Sequence, residues 1–239
     1  MKKSVVLALI FTLMVLPITA LYAKGIQEDY SNSDEKSRVS YAFGVAIGSN
    51  LRTTDLELNY NAVAEGLRAV LEGGDALFSE QEALEIIETA IQNVTDKKNE
   101  KNKQIEEMFL LANKERPEVR VTKSGLQYEA LTETDGKKPA SDSIVRVHYE
   151  GIFVDGQIFD SSKDESGDAN EGATIPLNRV IPGWTEGLML MGVGSKYKLY
   201  IPSELAYGKD GIPPIIPAYS TLIFTVELLE IVTENSGQK

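Results

Sequence analysis

The stretch Ile144-Val145-Arg146-Val147-His148-Tyr149 alternates apolar and polar side chains. A period of two is that of an extended strand, so Val145, Val147 and Tyr149 share one face and Arg146 and His148 the other. Shorter apolar runs follow at 152–154, 197–201 and 221–229, with turns rich in Gly and Pro between them. Several such strands divided by tight turns make an antiparallel sheet. In this half only residues 184–191, after Ile181-Pro182-Gly183, carry helical spacing. The expectation is a curved antiparallel sheet packed on one short helix.

Upstream the period becomes that of a helix. Val39, Ala42, Phe43, Ala46, Ile47 and Leu51 recur at three- and four-residue spacing, and Val63, Leu67, Val70 and Leu71 form a second stripe over 59–72. Gly73-Gly74 closes it. Ser79 followed by Glu82 is a capping box, in which each side chain satisfies a free backbone N–H of the other residue. The helix it opens is apolar at Ala83, Leu84, Ile87, Ala90, Ile91 and Val94, and wholly polar from Asp96 to Gln104. Ile105, Met108, Phe109, Leu111 and Ala112 then resume the stripe before Pro117. As one helix, 80–115 would measure about 54 Å at ~1.5 Å per residue. Its polar middle has nothing to bury, which reads as a solvated connector; two helices with a loop near Asn99 stay open. The fold class is α+β: an all-α N-terminal domain with a long connecting helix, then the sheet domain.

Composition excludes several functions. Acidic residues outnumber basic ones by 36 to 24, and a net charge of -12 argues against a nucleic-acid partner, because such partners are held by clustered Lys and Arg. There is no Cys, which removes thiol nucleophiles, thiolate metal sites and disulfides. His148 is the single histidine; it makes no multi-histidine metal centre and reads as structural. Gly187 to Gly192 has P-loop spacing, but Val193 follows where Lys is needed. The acidic run Asp160, Asp164, Glu165, Asp168 and Glu171 lacks the Gly and ligand spacing of a calcium loop. It reads as a solvated insertion, and no metal or cofactor is expected.

At the N-terminus, Lys2 and Lys3 precede an apolar run over 5–16, followed by Pro17 and the small residues Thr19, Ala20 and Ala23. This is the layout of a cleaved export signal over 1–23. An uncleaved anchor stays open, since the apolar stretch to Tyr22 is nearly long enough to span a bilayer. Export points to a bacterial periplasm, with outer-membrane or cell-surface association also open.

Six fragments of the second half fall in the order and spacing of one family. They are Val147-His148-Tyr149-Glu150-Gly151, Asp155-Gly156, Phe159-Asp160-Ser161-Ser162, Val180-Ile181-Pro182-Gly183-Trp184, Ala206-Tyr207-Gly208 and the run from Thr221 to Leu228. Together they resemble the FKBP-type peptidyl-prolyl cis-trans isomerases over about 120–231. The helical half is similar to the extension of the Mip and FkpA group, on Ser40-Tyr41-Ala42-Phe43-Gly44 and Ser124-Gly125-Leu126-Gln127-Tyr128.

The resemblance implies a pocket. Trp184 is its floor, and Tyr149, Phe159, Val180, Ile181 and Phe224 are its walls. The backbone N–H of Ile181 and the hydroxyl of Tyr207 meet substrate carbonyls, Asp160 sits at the rim, and Ile212 and Ile215 overhang the site. It also implies proline-containing, unfolded or partly folded polypeptides as partners. A homodimer through the N-terminal helices and binding of macrolides such as FK506 or rapamycin follow from it as well. Taken singly, the four aromatics read equally well as core, Asp160 as a turn-former, and Tyr207 as a turn tyrosine. Two positions depart from the family pattern: Ala173-Thr174-Ile175 where many members carry a Phe, and Ile212 where some carry a His. The expected division is a signal peptide (1–23), a helical dimerisation domain (24–78), the connecting helix (79–117), the isomerase domain (118–232) and a disordered tail (233–239).

Overall fold

The computed structural model describes residues 30–163 and 171–232. The signal-peptide reading, the tail 233–239 and Asp164, Glu165 and Asp168 of the acidic insertion lie outside the described residues. Two compact units divide the chain between Ile91 and Gln92.

The first unit is helical. Helix α1 (Glu35–Arg52) begins four residues before the apolar stripe because Asp34 caps it, accepting the Ser37 amide at 3.1 Å. Helix α2 (Tyr60–Leu71) is capped by Asn59, which accepts from the amides of Asn61 and Ala62. Gly73 follows at φ +69, a left-handed conformation that Gly adopts without a steric penalty. No residue of α1 or α2 is buried, and Phe43, Val70 and Leu71 stand well exposed.

Helix α3 (Glu80–Asn113) is a single element of 34 residues. The capping box opens it: the Glu82 amide donates to Ser79 Oγ at 3.2 Å, and the Ser79 amide to Glu82 Oε2 at 2.8 Å. There is no break near Asn99. Residues 96–104 contain neither Gly nor Pro, and the pairs Gln92–Asp96 and Gln104–Glu100 tie successive turns, so local propensity favours a continuous helix there. Among the described residues no helix is long and apolar enough to cross a membrane.

The second unit is built on an antiparallel sheet. Its strands are β1 (Val119–Val121), β2 (Gln127–Thr132), β3 (Ile144–Ile152), β4 (Ile158–Ser161), β5 (Ala173–Pro176), β6 (Lys196–Ile201) and β7 (Leu222–Val232). They run in the order β1-β2-β6-β7-β3-β4, with β5 also on β3. The central pair is β3 with β7, in register from Ile144 opposite Val232 to Ile152 opposite Ile223, with a bulge after Arg146. Helix α4 (Pro182–Leu190) packs on one face, where Trp184, Leu188, Val145, Val147, Leu199, Phe224, Val226 and Leu228 form the core. The opposite face carries Val119, Tyr200 and Ile223, and Phe109 of α3 packs there with its ring 6.0 Å from that of Tyr200. The α+β class and the short helix against the sheet stand as the sequence implies.

The face by which α3 meets the sheet differs from the apolar stripe. Glu106 and Asn113 are its buried residues, whereas Ile105, Met108 and Leu111 are exposed. Asn113 Nδ2 donates to Gln127 Oε1 at 2.9 Å, and Gln127 Nε2 to the Leu110 carbonyl at 2.9 Å. Directional hydrogen bonds thus set this docking together with the Phe109–Tyr200 contact.

Helix α4 lies close to β6 because two glycines face it. A Cβ on Gly187 would come 2.6 Å from Leu199 Cδ1, and one on Gly183 would run into Ile201 Cγ2. Gly183→Ala gains at most ~1 kcal/mol in helix propensity. Forcing a methyl into packed Ile201 costs about 1–3 kcal/mol, so the variant should be destabilised. A lower urea midpoint, followed by the fluorescence of the lone Trp184, checks this.

Candidate active site

Four aromatic side chains from four elements converge above the core. Trp184, in the first turn of α4, is buried, and its ring meets Tyr149 of β3 at 5.2 Å and Phe224 of β7 at 5.1 Å, both at 89°. Phe224 in turn meets Phe159 of β4 at 5.4 Å and 87°. Edge-to-face contacts of this kind set the electropositive ring edge on the electronegative face of the next ring. Gly151 makes the cluster possible. It lies opposite both Asp160 and Phe224 in the sheet, and a Cβ there would fall 2.7 Å from the Phe224 ring and 2.8 Å from that of Phe159.

The rim is polar. Asp160 is exposed at the end of β4; its Oδ1 accepts the Ser161 amide at 2.8 Å and its Oδ2 the Tyr149 hydroxyl at 3.0 Å. One oxygen thus serves the turn and the other the ring cluster. Ser162 fixes Tyr149 from the backbone side, its Oγ accepting the Tyr149 amide at 2.9 Å and its amide donating to the Tyr149 carbonyl at 2.9 Å. Partial burial, then the Asp160 charge and its hydrogen bond, push the Tyr149 phenol up to about 12. Val180 and Ile181 pack against the same core. Ile181 is the N-cap of α4, and its carbonyl accepts from Trp184 and Thr185. Its own amide is among the donors that a helix start leaves outside the helical ladder.

The remaining candidates stand apart from the rings. Tyr207, two-fifths exposed, follows the turn Ser203–Leu205 and makes no ring contact with the cluster among the described residues. Ile212 and Ile216 exchange backbone hydrogen bonds at 2.7 and 2.8 Å, which buries Ile216 and leaves Ile212 and Ile215 exposed. Ile215 lines a separate cleft of about 400 Å³ with Phe153, Val154 and Asn102. Phe153 joins this cleft to the ring cluster, its ring 4.8 Å from Phe159. Neither Phe153 nor the role of Gly151 is drawn from the sequence pattern: one falls in a short apolar run, the other inside a motif. Ile175, at the first departure from the family pattern, packs on the core opposite Val145. His148 lies away from the rings beside Lys196 and Glu227, its Nδ1 buried without a hydrogen-bond partner among the described residues. No metal-binding cluster of acidic or His side chains occurs among the described residues.

The raised phenol has a measurable consequence. The neutral form of Tyr149 is favoured by folding, so its stabilising effect is complete below the ordinary tyrosine value near 10 and fades as pH rises through about 12. A spectrophotometric titration should assign to Tyr149, by difference from Tyr149→Phe, a transition near 12. Asp160→Asn should lower it only in part, because burial is the larger cause. A Tyr149 transition at the ordinary value would contradict this geometry.

Two family models divide the chain. Residues 135–229 match the FKBP-type peptidyl-prolyl cis-trans isomerase model, and residues 36–130 match the domain amino terminal to FKBP-type peptidyl-prolyl isomerase. The probable isomerase FkpA of Neisseria meningitidis serogroup B is 38% identical over 213 residues, 84% of this chain and 77% of that protein. The outer membrane protein MIP of Legionella longbeachae is 32% identical, over 92% of this chain and 96% of that one. The crystal structure of FkpA from Escherichia coli aligns with a TM-score of 0.67 at 29% identity, covering 83% of this chain and 97% of that one. With both models matched and relatives of this likeness along most of its length, the chain belongs to the FKBP-type peptidyl-prolyl cis-trans isomerases of the Mip/FkpA group.

Proposed function

We propose that this isomerase assists the folding of exported proteins, turning X–Pro bonds of unfolded or partly folded polypeptides in the pocket of Tyr149, Phe159, Trp184 and Phe224. The observation that carries the reading is the packing of these four rings around Gly151, with the Asp160 carboxylate at their rim. Rotation about the bond faces a barrier of ~18–20 kcal/mol because amide resonance must be broken. The twisted amide is less charge-separated than the planar one, so moving it from water to a wall of rings favours it. A pocket shaped to the twisted form adds binding that the ground state does not receive. The prolyl ring rests on Trp184 between Phe159 and Phe224, with Val180 and Ile181 closing the side. The Ile181 amide and the Tyr207 hydroxyl take substrate carbonyls, and Ile212 and Ile215 border the flanking chain. Neither a nucleophile nor a cofactor enters the step, because no bond is cleaved.

Uncatalysed isomerisation takes tens to hundreds of seconds, and an exported, unfolded client gains from shortening it. The basic and apolar start of the sequence supports a periplasmic location. The same pocket would accept a macrolide such as FK506 or rapamycin, at an affinity tuned by Ala173 and Ile212. Asp160→Leu, Tyr207→Phe and Trp184→Ala should each lower the rate of cis-to-trans conversion of an X–Pro peptide, by roughly ten-fold or more for Asp160→Leu if rim and floor act together. Full turnover in all three folded variants would sink this pocket.

Helices α1 and α2 bury no residue among those described, and between them lies an apolar cleft of about 690 Å³ lined by residues such as Ile47, Leu51, Val63 and Leu67. Faces of this kind support a homodimer through the N-terminal helices, since short helices alone make a poor core. The same exposed faces favour a second reading, a holdase chaperone in which the pocket mainly binds. Light scattering should give twice the mass of one chain; a monomer at working concentration removes the dimer. Aggregation suppression that survives Asp160→Leu would assign the holdase activity to surfaces outside the pocket.

A further inference from the structure

The loop from β6 to β7 carries Tyr207, Ile212 and Ile215, and α3 holds that loop at its start and at two points near its end. Glu106 of α3 is 9% exposed. Its Oε1 accepts the Ser203 amide at 2.5 Å and the Thr221 hydroxyl at 3.2 Å, and its Oε2 accepts the Ser203 hydroxyl at 2.7 Å. Ser203 starts the loop, Thr221 ends it, and both are buried. One turn earlier on the helix, Asn102 Nδ2 donates to the Ala218 carbonyl at 3.0 Å.

This arrangement is costly unless it does something specific. A carboxylate is expensive to bury without a complete set of donors, and Glu106 pairs with no Lys or Arg among the described residues. An apolar side chain would dock the helix with less risk, yet the neighbouring Ile105 and Met108 are turned outward at 43% and 71% exposure. Among the described residues, the side-chain hydrogen bonds that Glu106 and Asn102 make beyond the helix all end on this one loop. Inside it, the backbone pairing of Ile212 with Ile216 and the bond from Tyr219 to the Gly208 carbonyl give local order. The clamps on Ser203, Ala218 and Thr221 give that ordered piece a fixed place.

We infer that the connecting helix is part of the isomerase, with Glu106 and Asn102 as positioning residues that set where Tyr207, Ile212 and Ile215 stand beside the substrate. The inference rests on the pocket assignment above. A loop that loses its clamps is competent for only part of the time, and apparent substrate affinity falls by that fraction. Contacts made equally to ground and transition states act on KM and not on kcat. Among the described residues the Glu106 carboxylate bonds to Ser203 and Thr221 and not to Asp160 or Tyr149, so the chemical step itself is left as it was.

The test is steady-state kinetics of the full chain on an X–Pro peptide at concentrations spanning KM, for Asn102→Ala and Glu106→Gln, with Asp160→Leu as a control. Hydrogen exchange of the loop amides is measured alongside. Both α3 variants should raise KM about three- to ten-fold with kcat within about two-fold of the parent, and the Gly208 to Tyr219 amides should exchange faster. Should Glu106→Gln not fold, Asn102→Ala, which removes one half-buried side chain, carries the test. An unchanged KM in the folded variants, or a loss confined to kcat, overturns the inference. If Asp160→Leu abolishes turnover while the α3 variants keep the parent KM, the clamp alone is refuted. Intact turnover in Asp160→Leu removes the pocket assignment on which the clamp depends.

Discussion

Strands β3 and β7 pair along nearly their whole length, and Gly151 faces Phe224 at the end of that pairing nearest the ring cluster. Everything at the site depends on this register. A slip of one residue would turn Val145, Val147 and Tyr149 to the wrong face together, because side chains alternate with a period of two. It would also place a Cβ where Phe159 and Phe224 now approach the backbone. The requirement for rings to pack at an unobstructed Gly151 therefore favours a single register for β3. Two further glycines apply the same reasoning to the floor. Gly183 and Gly187 bring α4 down on Ile201 and Leu199, and Trp184 descends with it into edge contact with Tyr149 and Phe224. Core packing and site geometry are here the same set of contacts.

The attachment of α3 follows a different logic. Asn102, Glu106 and Asn113 meet the sheet domain at spacings of four and seven, one side of a helix, but the contacts are hydrogen bonds. Apolar surfaces tolerate sliding and rotation, whereas a buried carboxylate that moves by an ångström loses its donors and bears the desolvation cost. Polar docking consequently fixes the rotation of the helix about its own axis. It also leaves Ile105, Met108 and Leu111 outside, on a face that an apolar docking would have consumed.

How much of this can be read from the sequence varies with the periodicity of each segment. The alternation at 144–149 and the helical stripes were legible because a repeating side-chain pattern reports which face is buried. The Ser79–Glu82 box was legible because capping needs only neighbours in sequence. Four aromatics named from the motif, Tyr149, Phe159, Trp184 and Phe224, lie together, with the Phe224 ring against each of the other three. Glu106 was not legible: an acidic residue between the apolar positions of a resumed helical stripe reads as solvated, and its partners lie 97 and 115 residues away. Phe153 was missed for a similar reason, since it adjoins the pocket only through the fold of the β3–β4 turn. Tyr207 and Ile215 lie in a loop with no period, where sequence can name a residue without saying what it stands beside.

On the proposed reading, the site works by a change of environment over a few ångströms. Trp184 is buried and Phe224 nearly so, Phe159 and Tyr149 are half-buried, and Asp160 is exposed. A prolyl ring entering this series meets progressively drier surface, while the carbonyls on either side remain near the Ile181 amide and the polar rim. Charge separation in the planar amide is then disfavoured at the ring end without the flanking peptide losing its hydrogen-bond partners. The hydrogen bond from Tyr149 to Asp160 ties the two regimes together. It orients the carboxylate at the rim and gives the half-buried phenol a partner, so the wall beneath the rim presents no unsatisfied polar group to the prolyl ring. A phenol left without an acceptor there would recruit water and blunt the contrast, which is why this one hydrogen bond belongs to the architecture of the site.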